Sequence, residues 1–159
     1  MSPTPVRQRG PQPIRSARVI VVGMAVGVLA MTGVAVFIKQ TSPPGDSSLG
    51  RNLALAALGL GAGLAGTYVV LRRSAIARLG ATRAEALAAL ERGELPPELL
   101  GLTIVGAALA EGFGLFGAVA LLLGAPWFAL AEPILALALI LAQIPGRERA
   151  LALVRGAGA

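Results

Sequence analysis

Two acids, Glu111 and Glu132, stand inside stretches otherwise built from Ala, Leu, Val, Gly and Phe. A carboxyl in such surroundings has two uses: it binds and releases a proton or cation, or it sits neutral and hydrogen-bonded between helices. Glu111 belongs to Gly106–Leu123, which reads GAALAEGFGLFGAVALLL. The apolar run from Leu102 to Leu123 is 22 residues long, enough to cross a hydrocarbon core of ~30 Å at ~1.5 Å per residue. Glu111 is the ninth residue after Leu102, which puts it ~13–14 Å in, close to the bilayer midplane. A carboxylate there costs at least ~2.5–3.5 kcal/mol on insertion scales, so it is expected to be protonated, paired or turned towards other helices. Glu132 lies about twelve residues from the basic end of its own run and Glu111 about nine, a difference in depth of ~4–5 Å. On antiparallel neighbours the two carboxyls could meet and share a proton. Alternatively Glu132, one turn from Trp127 and followed by Pro133, faces a water-accessible outer notch.

Composition narrows the setting in which these acids work. Of 159 residues, 55% are hydrophobic and only 14% charged, with a mean hydropathy of +0.76. A soluble domain carries about 25% charged residues. The chain has no Cys and no His, which removes disulfides, thiol nucleophiles, zinc or haem ligation through those residues, and imidazole catalysis. Its serines therefore have no histidine to activate them, no acid cluster has metal-ligand spacing, and no glycine-rich phosphate loop precedes a helix; GLGAG at 59–63 lies within an apolar run. Enzymatic chemistry, cofactors and metals are not expected. The net charge of +6 does not indicate nucleic acid, because the charges flank apolar runs and aromatics make up only 4%.

The elements that must hold the two acids are four apolar spans, predicted at about 19–38, 52–71, 102–123 and 126–144. Residues 1–18, with four prolines and four arginines, read as a disordered basic tail. A signal peptide is the rival reading of the first apolar run, but Val19–Ile38 exceeds a typical h-region of ~7–15 residues and no good small-x-small cleavage site comes after it. Lys39–Arg51 is a polar turn rich in Pro, Gly and Ser. The loop 72–99 is the only sizeable soluble part: Thr82 and Glu85 have capping-box spacing, predicting a helix to about Glu91 that stops at Gly93. Pro96 and Pro97 sit where a new helix starts, with Glu98 in its first turn. Gly124–Pro126 is a tight connection, so the third and fourth spans are antiparallel neighbours. Trp127 and Phe128 open the fourth at an interfacial position, Pro145–Gly146 ends it, and 147–159 reads as a basic tail.

Four spans place both tails and the 72–99 loop on one side. That side then holds 12 of the 14 basic residues, leaving only Lys39 and Arg51 across the membrane. The asymmetry puts both termini in the cytoplasm. The expected fold is thus an all-α integral membrane bundle of four transmembrane helices, in a bacterial inner (plasma) membrane.

Small residues mark the faces on which such helices pack. Gly23/Gly27 and Gly59/Gly63 are GxxxG pairs, Gly61 and Gly66 lie on the same span, and Gly106, Ala110, Gly114 and Ala118 form a stripe at i, i+4 spacing. In lipid, such faces let backbones approach closely. They serve contacts within one chain or between subunits.

With these residues in view, the stretch 52–123 resembles the rotor-ring proteolipids, the c subunits of rotary ATP synthases and their vacuolar-type relatives. GLGAGLAG followed by a basic loop and ALAEGFGLFGAVALLL carries the likeness. The resemblance implies that Glu111 is the ion-binding carboxylate and that Gly59, Gly61, Gly63 and Gly66 are inner-ring glycines. The chain departs from that family in its long loop, which lacks an Arg-Gln-Pro triplet, and in its two outer spans. The whole pattern also resembles small bacterial four-span proteins of unassigned function. Two functions are expected from this: a proton-binding proteolipid-like subunit centred on Glu111, or a non-catalytic accessory or scaffold protein whose loop binds a soluble partner. The expected partners are the lipid bilayer and either further copies of the chain or the other subunits of a membrane complex.

Overall fold

A computed structural model describes residues 12–41 and 47–156. Every long apolar run is helical. Helix α1 spans Ile14–Thr41, α2 Ser47–Ala81, α3 Arg83–Glu91, α4 Pro97–Leu122, α5 Ala131–Ala142 and α6 Arg147–Gly156. A four-residue 3-10 turn, Trp127–Leu130, leads into α5. Two-residue strands β1 (Gln12–Pro13) and β2 (Glu94–Leu95) pair antiparallel and tie the start of α1 to the turn after α3.

The helix ends obey local chemistry. Pro97 occupies the first turn of α4, where its missing N–H costs nothing, and Glu98 faces the positive end of the helix dipole. The chain turns at Gly93 and Gly124 with φ of 77° and 88°, a left-handed conformation that glycine adopts without strain. The capping box expected at Thr82 does not form. Thr82 is the N-cap of α3 but makes no side-chain cap bond; its hydroxyl donates back to the Arg78 carbonyl at 3.3 Å, because α2 runs on almost into α3 and presents that acceptor first.

The helices run beyond the predicted spans. Nothing after Leu71 breaks a helix: RRSAIARLGA is rich in Arg, Ala and Leu, so α2 continues to Ala81. Arginines there end the match to lipid, not the match to helix. Likewise α1 begins at Ile14, and Ala17, expected in the tail, is fully buried. Residues 1–11 of that tail, residues 42–46 of the turn 39–51 and residues 157–159 lie outside the described residues. The segment read as a basic C-terminal tail is a helix, α6, which buries Ala150 and Val154 one turn apart.

Helix α4 is the centre. It touches α1, α2 and α5 along its length, and α1 also meets α5. Half of its most apolar window is buried, against 17% in α1 and 11% in α2. The helices alternate in direction, with α1 and α4 parallel and α2 and α5 opposed to them. Three apolar clusters stack along the axis. At the arginine-rich end Leu79, Leu90, Leu95, Leu99 and Val154 bring α2, α3, α4 and α6 together. At mid-height Val28, Ala110, Phe113, Ala136 and Ile140 join α1, α4 and α5. At the far end Ala35, Ala54, Leu121 and Ala129 close the bundle.

Outward faces are strongly apolar: Val19, Phe37, Leu55, Val70 and Ile134 are each more than half exposed. Helices Ile14–Thr41, Ser48–Ala81 and Pro97–Leu122 are long and apolar enough to cross a membrane, and the bent pair Trp127–Ala142 and Arg147–Gly156 adds a fourth candidate. An all-helical chain with three to four such helices is compatible with a multi-pass membrane protein. The 3-10 turn and α5 together rise about 26 Å, close to a hydrocarbon thickness. Beyond Ala142 the chain bends by 78°.

Candidate functional site

Helix α4 carries glycine on the sides that meet its neighbours, and the side chains of those neighbours enter the resulting grooves. A Cβ on Gly106 would lie 2.7 Å from the Tyr68 ring of α2 and 3.0 Å from the Gln143 amide. One on Gly114 would lie 2.7 Å from Ala136 of α5 and 2.9 Å from Val28 of α1. At Gly117 it would meet Glu132 Cβ at 2.6 Å and Pro133 Cδ at 2.8 Å. These contacts fix the α4–α5 register: 106 pairs with 143, 114 with 136 and 117 with 132.

Glu111 projects from α4 towards α1 at mid-height. Its Oε1 would be 3.4 Å from a Cβ on Gly27, an ordinary van der Waals distance. The residue is half-buried and makes no hydrogen bond or ion pair with any described residue. Phe113, two residues on, is buried and packs on α2 at Gly61, where a Cβ would stand 2.7 Å from its ring.

Glu132 occupies a different environment. It is 1% exposed, and neither carboxyl oxygen has a hydrogen-bond partner among the described residues. The water-accessible notch expected around it is therefore filled: Gly117 lets α4 close over the side chain. Nor does the register bring the two acids to one level. Glu111 falls opposite residues 138–139, six residues from 132, which separates the two positions by ~9 Å along the axis. The expected ~4–5 Å assumed that the third and fourth runs start level at their basic ends. Gln143 instead pairs with Gly106, four residues deeper than Leu102.

Glycines named from the sequence divide into three groups. Gly61, Gly106 and Gly114 stand at close helix approaches, Gly27 meets only Glu111 at an ordinary contact distance, and Gly23, Gly59, Gly63 and Gly66 have open space where a Cβ would be. Two further glycines, not singled out from the sequence, matter as well. Gly117 comes three residues after Gly114, a small-residue spacing that was legible. Gly50 abuts the backbone of Ala125, and a Cβ there would lie 2.7 Å from the Leu123 carbonyl, a contact that no local pattern marks.

At the far end the Lys39 ammonium donates to the Ala125 carbonyl and stands 5.2 Å from the Trp127 ring centroid, a cation–π distance. Near the arginine-rich end the Tyr68 hydroxyl donates to Gln143 Oε1 at 3.1 Å and accepts from its Nε2 at 3.0 Å.

No protein-family model, curated protein or solved structure matches this chain. Among the described residues no group of three or more acids could hold a metal ion. What the geometry offers chemically is two carboxyls within an apolar bundle: one reachable from the side, one sealed.

Proposed function

We propose that the chain is a four-span protein of a bacterial plasma membrane, with both ends cytoplasmic, and that it binds a proton at Glu111. The observation that carries this reading is the contrast between the two acids. A group that exchanges protons must be reachable, and Glu111 is half-buried beside Gly27 with no hydrogen-bond or ion-pair partner among the described residues. Glu132, 1% exposed and closed off by Gly117 and Pro133, is not the exchanging group. Apolar outer faces and the gathering of arginines at one end support the membrane setting. The open positions at Gly59, Gly63 and Gly66 support a proteolipid-like subunit that associates through α2.

The test is labelling by a hydrophobic carbodiimide, which attacks a protonated carboxyl. Glu111 takes the label, and Glu111→Gln abolishes it with the fold intact, because the amide keeps the shape. Proton leak across native membranes, with wild type and Glu111→Gln expressed equally, then differs between the two. Absence of labelling at Glu111 together with identical leak defeats the reading.

A second reading rests on the arginine-rich end. There α3, α6 and the β1–β2 bridge build a packed cap on the bundle around Leu79, Leu90 and Val154. Such a cap suits an accessory or scaffold protein with a soluble partner. It predicts that changes on exposed α3 positions, and not Glu111→Gln, remove the cellular phenotype.

A further inference from the structure

Beneath α6 lies a cleft of about 430 Å³, bounded by α2, α4 and the corner where the chain leaves α5. Its walls are of two kinds. Leu99, Leu102 and Ile144 are apolar, while Arg72, Arg149 and the Tyr68–Gln143 pair are polar. No acid lines it. Arg72 makes no hydrogen bond or ion pair with any described residue, and Arg149 spends one donor on the Ala142 carbonyl at 2.5 Å. Two guanidinium groups without a counter-charge define an anion site.

Height decides which anion. Arg72 is the first charge after the apolar run of α2, so the cleft opens where hydrocarbon gives way to water. Helix α6 leaves α5 at 78° and therefore lies close to the membrane plane if α5 crosses it, roofing the cleft from the aqueous side. A soluble anion would gain nothing from the leucine wall. An acidic phospholipid satisfies both walls at once: its phosphate meets the two arginines and its first methylenes lie on the leucines.

We infer that this cleft is a binding site for one acidic phospholipid of the cytoplasmic leaflet, held by Arg72 and Arg149. The inference rests on the membrane reading proposed for the chain but not on the role of Glu111.

The experiment uses the full-length protein in mild detergent, titrated with phosphatidylglycerol or with phosphatidylcholine of the same chains and read by native mass spectrometry. Phosphatidylglycerol should bind at least about tenfold more tightly. Arg72→Gln should remove that preference, while Arg73→Gln, an exposed neighbour outside the cleft, leaves it unchanged. Excess inorganic phosphate should not displace the lipid. If Arg72→Gln fails to fold, Ala142→Trp, which fills the cleft from an exposed position, must abolish the same binding. Equal affinity for the two lipids, equal effects of the Arg72 and Arg73 variants, or displacement by phosphate overturns the inference. Release of the protein from native membranes by alkaline carbonate would instead defeat the membrane reading, so the two failures are told apart.

Discussion

Glu132 lies directly on Gly117, so close that a methyl group on that glycine would stand 2.6 Å from the Glu132 Cβ and 2.9 Å from Oε2. An acid of α5 is thus sealed into the bundle against a residue of α4 that has no side chain to keep it out. Pro133 of the same helix adds a second close contact, its Cδ 2.8 Å from the same point.

Gly117→Ala should therefore lower thermal stability in detergent, by about 1–3 kcal/mol for an overpacked core site. Gly112→Ala is the matched comparison. Nothing lies within 4 Å of its Cβ position, so the change should be neutral or should gain up to ~0.5–1 kcal/mol from helix propensity. Shifts of the same sign in both variants would mean that α4 and α5 do not meet as described.

For Glu132 itself, the absence of any partner for either oxygen among the described residues predicts that the carboxyl contributes nothing to stability. Glu132→Met keeps the volume and removes the desolvation cost, so melting should rise by the equivalent of ~1–3 kcal/mol. A fall in melting of that size would show that the carboxyl has a partner in the working protein.

Two glycines on one helix separate contact within the chain from contact outside it. Gly61→Ala drives a methyl into the buried Phe113 ring at 2.7 Å and should destabilise the isolated chain, again by about 1–3 kcal/mol. Gly63→Leu enters open space and should leave the melting of the monomer intact. Any change in the mass of a detergent-solubilised oligomer caused by Gly63→Leu alone would place that face between subunits.

Tyr68→Phe removes the hydroxyl that holds the Gln143 amide at 3.0–3.1 Å. The expected loss is ~1 kcal/mol, with up to ~1–3 kcal/mol if the amide stays unsatisfied. Gln143→Leu in the same background should restore part of it. Double-mutant melting curves measure the coupling directly.

Single cysteines at Leu49 and Ala81, both exposed and at opposite ends of α2, should react with an impermeant thiol reagent from opposite sides of the membrane. Reaction of both from outside intact cells would refute a spanning α2.

Much of this protein is legible in its sequence because lipid-scale apolar runs, prolines and arginines are local signals. The four apolar runs, the turns at Gly93 and Gly124, the start of α4 at Pro97, and Glu111 as an acid in an apolar helix can all be read off the chain. The ends of the helices are less legible, since hydropathy marks where lipid would stop while helix propensity carries α2 on to Ala81. Only the tertiary structure makes α4 the centre, sets Gly106 against Gln143 and Gly117 against Glu132, and so separates the two acids by ~9 Å. It alone divides Gly61 from Gly63 and folds Arg147–Gly156 back as α6. The reason is physical. A helix that is apolar on every side carries no periodic mark of which face is inward, so its partners and register are decided by where small residues let backbones approach.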